Sequence, residues 1–145
     1  MSIAPNVDAP RANAQKGNDR RRQRFVDDAV STASPARLVC LLYDRLQLDL
    51  TRAVAALGEG DRPAAASSLG HAQQIVLELR GSLQVEAWDG GPALASLYAW
   101  ILGELGRAMV KGDPAIVLAC VELVAPLRSA WHEAAAIAGA SSTAA

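Results

Sequence analysis

Two breaks in this sequence leave almost no chain for a turn. Gly58–Asp61 and Lys111–Asp113 each separate long stretches in which apolar residues recur every three or four positions. That period marks amphipathic helices, and links this short force successive helices to run antiparallel. The first stretch opens at Ser34-Pro35, a serine N-cap followed by a proline whose missing N–H costs nothing at the first helical position. It carries Leu38, Leu42, Leu46, Leu50, Val54 and Leu57, and Gly58 fits a left-handed cap at its end. About 24 residues of helix are roughly 36 Å long.

The second stretch opens near Asp61, with Pro63 in its first turn, and its stripe is Ala65, Leu69, Ala72, Val76, Leu79 and Leu83. Gly70 and Gly81 each weaken it by about 1 kcal/mol relative to alanine. A loop over Glu86–Pro92 precedes the third stretch, which carries Leu94, Leu97, Tyr98, Ile101, Leu105 and Met109 and stops at Gly112. Asp113-Pro114 opens the fourth, with Val117, Cys120, Val124, Leu127, Trp131 and Ala134 as its stripe. Pro126 lies inside this fourth helix, where it removes the bond to the Glu122 carbonyl and kinks the axis. The expected fold is all-α, an antiparallel up-down-up-down four-helix bundle.

The chain has 145 residues, 51% of them hydrophobic, which is enough for one core. Residues 1–24 hold Pro5, Pro10 and Gly17 with no apolar period, and six basic residues against two acidic ones. They read as a disordered basic arm of net charge +4 on a body, residues 25–145, of net charge −5. The bundle is expected over 25–138, and 139–145 reads as a disordered tail.

Composition excludes several kinds of function. Two histidines, His71 and His132, stand outside any carboxylate-and-histidine spacing that would hold a metal. No serine has a histidine and an acid at nucleophile spacing, and Gly90-Gly91 lacks the frame of a phosphate loop. Neither an enzyme nor a metal or other cofactor is expected. Cys40 and Cys120 lie far apart in apolar contexts and read as reduced thiols filling a core. The opening residues lack the apolar run of a secretory signal, and no window approaches the roughly 18 consecutive apolar residues of a membrane span. Arg20, Arg21, Arg22 and Arg24 could touch phosphates, but the run is short, without interleaved aromatics, and sits on an acidic body; nucleic acid is not an expected partner.

Helix one is apolar over more of its circumference than two neighbours require. Leu38, Val39, Cys40, Leu41 and Leu42 are consecutive, and Leu46, Leu48 and Leu50 follow. A core-facing stripe needs an arc of about 100° or slightly more. The surplus implies a central helix, a dimer seam, or a surface covered by another molecule.

From Phe25 to Asp44 the chain carries an aromatic, Val30 five residues on, then Thr32-Ala33-Ser34-Pro35, Leu38, and Leu42-Tyr43-Asp44. This pattern resembles the flagellar secretion chaperone FliS family. Ala72 to Leu79, Ser82-Leu83, Glu86, Gly90-Gly91, Leu97-Tyr98 and Leu127-Arg128-Ser129-Ala130-Trp131 are similar to later segments of that family, in the same order. Phe25 stands where the family usually has tyrosine, and Trp88-Asp89 is inserted before the glycine pair. The resemblance implies a cytosolic chaperone that binds the C-terminal segment of flagellin, prevents its premature polymerisation and delivers it for type III secretion. The export apparatus is a further partner it implies, with no membrane insertion, the protein being a monomer or a dimer. Phe25 and Val30 are then a displaceable cap, and Ala33, Val39, Leu42, Tyr43 and Leu46 on helix one, with Leu97, Tyr98 and Ile101 on helix three, are expected to form the wall of the flagellin groove. The alternative is a self-associating helical bundle without flagellin affinity, its apolar arc serving as the dimer interface.

Overall fold

A computed structural model describes residues 35–83 and 89–144 of the chain. They form four helices in chain order: α1 (Pro35–Gly58), α2 (Arg62–Ser82), α3 (Gly91–Lys111) and α4 (Pro114–Ala144), with no strand among the described residues. The all-α four-helix bundle expected from the spacing is the observed architecture.

The ends of the helices follow local chemistry. The Asp61 carboxylate accepts the Ala64 N–H at 3.1 Å and opens α2, and Asp113 does the same for Ala115 at 3.0 Å at the start of α4. Gly112 closes α3 in the left-handed region, φ 67°, with its N–H on the Ala108 carbonyl. The Arg62 guanidinium donates to the Met109 and Val110 carbonyls at 3.3 and 3.1 Å, so the start of α2 caps the end of α3. At the end of α1 the left-handed residue is Gly60, φ 73°, rather than Gly58. Gly58 remains helical, and the Asp61 N–H returns to the Ala56 carbonyl at 2.9 Å.

The core runs through all four helices. Tyr43, Leu46, Leu50 and Ala53 of α1 meet Leu69, Ala72 and Val76 of α2, Tyr98, Ile101 and Leu105 of α3, and Val117, Cys120 and Val124 of α4. Both cysteines are free and buried, and burial pushes the Cys120 thiol up to about 11. Part of the apolar surplus of α1 is absorbed here, because this helix bonds to each of the other three. Asp49 reaches His71 on α2, Tyr43 reaches Tyr98 on α3, and Asp44 reaches Arg128 on α4. Leu41 and Leu48 remain on its outside.

One feature of α4 differs from the sequence reading. The helix continues through Gly139 to Ala144, where a tail was expected from 139 onward. Its last turns are alanine-rich, and alanine is the best helix former, so one glycine costing about 1 kcal/mol does not end it. Pro126 lies inside the helix, as the sequence places it. By length and composition, Pro114–Ala140 is also apolar enough to cross a membrane. In the bundle one stripe of it is core, while Leu118, Leu123 and Ile137 are exposed.

Candidate functional site

Between α3 and α4 lies an apolar groove of about 450 Å³. Gly90, Ala93, Leu94 and Leu97 form one wall, and Leu127, Ala130, Trp131 and Ala134 the other. No charged side chain lines it. Each wall is built by helical periodicity: 93 and 97, 127 and 131, and 130 and 134 are one turn apart, so they stack on a single flank. Small residues at 90, 93, 130 and 134 leave the space, while Leu97, Leu127 and Trp131 are only half-buried and supply its apolar surface. Trp100, 43% exposed, and Leu123, 40% exposed, lie on the two helices beyond the groove.

Behind the groove is a buried polar pair. The Tyr43 and Tyr98 hydroxyls lie 2.7 Å apart, and the Trp131 ring centroid is 6.5 Å from that of Tyr43. Burial raises the Tyr43 phenol above its ordinary range, with the bonds from Tyr98 and Trp131 pulling the other way. Burial and the Tyr43 neighbour together raise Tyr98 further. Both phenols are therefore neutral, and the pair is a structural tie.

On the neighbouring flank of α4, Asp44 Oδ1 accepts from Arg128 Nε and His132 Nε2, each at 2.7 Å. Burial opposes ionisation of Asp44, but the bonds and charges of His132 and Arg128 outweigh it and hold the carboxyl below its usual range. A second cleft, of about 430 Å³, lies between α1 and α2 and is polar. There Asp49, almost fully buried, takes His71 and Arg45, beside Arg52, Ser67, Ser68 and Gln74. Among the described residues no group of three or more histidine, cysteine or acidic side chains could hold a metal.

Most of the residues expected to wall the flagellin groove lie away from the α3–α4 cavity. Tyr43, Leu46, Tyr98 and Ile101 are core residues with almost no exposed surface. Val39 and Leu42 are half-buried against that core, and Leu97 alone of the expected wall residues lines the groove. Phe25, Val30 and Ala33 lie outside the described residues, as does Trp88. Sequence reasoning missed the α4 wall. Leu127 and Trp131 carried a signal, a turn-spaced pair after Pro126, but it is the same signal that a core stripe gives.

Comparison with known proteins follows this geometry. A family model described as flagellar protein FliS matches residues 17–138, beginning within the segment read as an arm. A flagellar secretion chaperone FliS of Vibrio cholerae is 32% identical over 111 residues, covering 74% of this chain and 80% of the relative. The protein of the same name from Escherichia coli is 30% identical over 122 residues, covering 83% of this chain and 90% of the relative.

Proposed function

The chain belongs to the FliS family of flagellar secretion chaperones, and from that premise we propose that it binds the C-terminal segment of flagellin in the cytosol. It keeps the segment from polymerising early and delivers it to the export apparatus for type III secretion. The observation that carries the reading is the α3–α4 groove, apolar along both walls and free of charge. An amphipathic segment that folds on binding lays its apolar face into such a groove, with anchors at helical spacing. Ordering that segment costs about 2–5 kcal/mol of the gross interaction, so a long apolar surface is needed. Trp100 and Leu123 extend it beyond the cavity itself. Phe25 and Val30 serve as the displaceable cap, and Val39 and Leu42, half-buried on α1, add apolar surface. The work is binding, and no bond is made or broken.

Light scattering of flagellin assembly tests this. An equimolar amount of the chaperone suppresses filament growth, and the Ala130→Glu variant, with a charge placed in the groove, does not. Growth unaffected by the unaltered protein would refute the reading.

The exposed apolar residues of α4, Leu118, Leu123 and Ile137, favour one other reading, self-association. Sedimentation decides it: a mass that doubles with concentration, together with no flagellin affinity, would replace the chaperone reading.

A further inference from the structure

All four α4 residues that wall the groove, Leu127, Ala130, Trp131 and Ala134, lie beyond Pro126. Pro126 deprives the Glu122 carbonyl of its helical donor, so the helix bends there more easily than elsewhere. Past that point α4 buries little. Trp131 is half-buried, and Ser129, Ala130, Glu133 and Ala134 are exposed. Few apolar contacts and an interrupted ladder mark a segment of low local stability.

Asp44 makes two of the polar contacts that tie this segment to the bundle. Arg128 and His132 are one turn apart on α4, on the flank next to the groove wall, and both donate to the same Asp44 oxygen on α1. The other titratable groups of the cluster are Cys40 and Arg37 on α1; Cys40 lies within the fields of Asp44, Arg37 and Arg128. We propose that Asp44 is the positioning residue of the groove, latching the α4 segment beyond the Pro126 hinge so that Leu127 and Trp131 stand at the separation a docked helix needs. The inference rests on the α3–α4 groove being the flagellin site. The latch sets the width of the groove without touching the cargo. Because its bonds are partly exposed, salt weakens it.

Hydrogen exchange on the full-length protein is the test, with Asp44→Asn and Asp44→Glu beside the unaltered chain. Asp44→Asn should raise exchange about tenfold at the amides of 127–140 while leaving those of 46–57 and 98–108 unchanged. Asp44→Glu should restore most of the protection, which loss of generic packing would not allow. Pro126→Ala placed on Asp44→Asn should also slow exchange in 127–140, by closing the hinge. Unchanged exchange in Asp44→Asn, or a uniform rise across all four helices, would overturn the latch. Affinity for a synthetic flagellin C-terminal peptide separates the two claims. A selective rise in exchange with weaker binding supports both. The same rise with unchanged binding leaves the latch standing and refutes the groove as the flagellin site.

Discussion

The hydroxyl of Tyr43 on α1 is hydrogen-bonded to that of Tyr98 on α3, 2.7 Å away within the core, and both rings are buried. Trp131 also bonds the Tyr43 hydroxyl, so removing Tyr98 leaves Tyr43 a partner, whereas removing Tyr43 strands the Tyr98 hydroxyl away from water. Tyr43→Phe should cost about 1–3 kcal/mol, the penalty for an unsatisfied buried hydroxyl. The double variant Tyr43→Phe/Tyr98→Phe should cost less than the sum of the two single changes. Urea unfolding measures all three; strict additivity would mean that the bond contributes nothing.

Gly112 ends α3 at φ 67°, and a Cβ there would fall 1.4 Å from the Arg62 guanidinium. Gly112→Ala should therefore destabilise by more than the 1 kcal/mol or so of left-handed strain, because it also displaces the Arg62 cap from the Met109 and Val110 carbonyls. Arg62→Ala should lose a smaller amount, and in that background Gly112→Ala should be milder. Thermal unfolding of the three variants checks the order.

Gln47 Oε1 is buried with no hydrogen-bond partner. An orphaned acceptor keeps its desolvation cost and gains nothing in return. Gln47→Met, of similar length and shape, should stabilise the bundle by about 1 kcal/mol in urea unfolding. A loss of stability would show that the amide serves a purpose there.

Asp44 titrates below its usual range in the folded protein. A depressed carboxyl contributes stability above its unfolded pKa of about 3.9, and loses it as pH falls through the folded value. Asp44, Arg128 and His132 are 37%, 39% and 42% exposed, so solvent screens the gain to about 1 kcal/mol. Unaltered protein and Asp44→Asn should thus differ at pH 7 and converge as pH drops below about 3.9. A difference independent of pH would assign the effect to shape rather than charge.

Much of the fold could be read from the sequence because its signals are local. Asp61-x-Pro63, Asp113-Pro114 and Gly112 punctuate the helices through their own backbones, and the two short links impose antiparallel order. The surface was less legible. Periodicity shows that α1 is apolar around most of its circumference, but not that three helices cover it, so Tyr43 and Leu46 read equally well as wall or core. Leu127 and Trp131 read as core, since a groove wall and a core stripe share one spacing. Ala130 and Ala134 gave no signal, because what they contribute is space. The Asp44–Arg128–His132 cluster joins residues more than 80 positions apart, and no local rule brings them together.

The central claim is that the α3–α4 groove holds the C-terminal segment of flagellin. Calorimetry of the full-length protein against that segment, in moderate salt, tests it most directly, with Ala130→Glu and Leu97→Asp alongside. The account predicts saturable binding near one-to-one, a negative heat-capacity change from apolar burial, and at least tenfold weaker binding in both variants, with helicity preserved in Ala130→Glu. Absence of binding, or equal affinity in the unaltered protein and both variants, would contradict it.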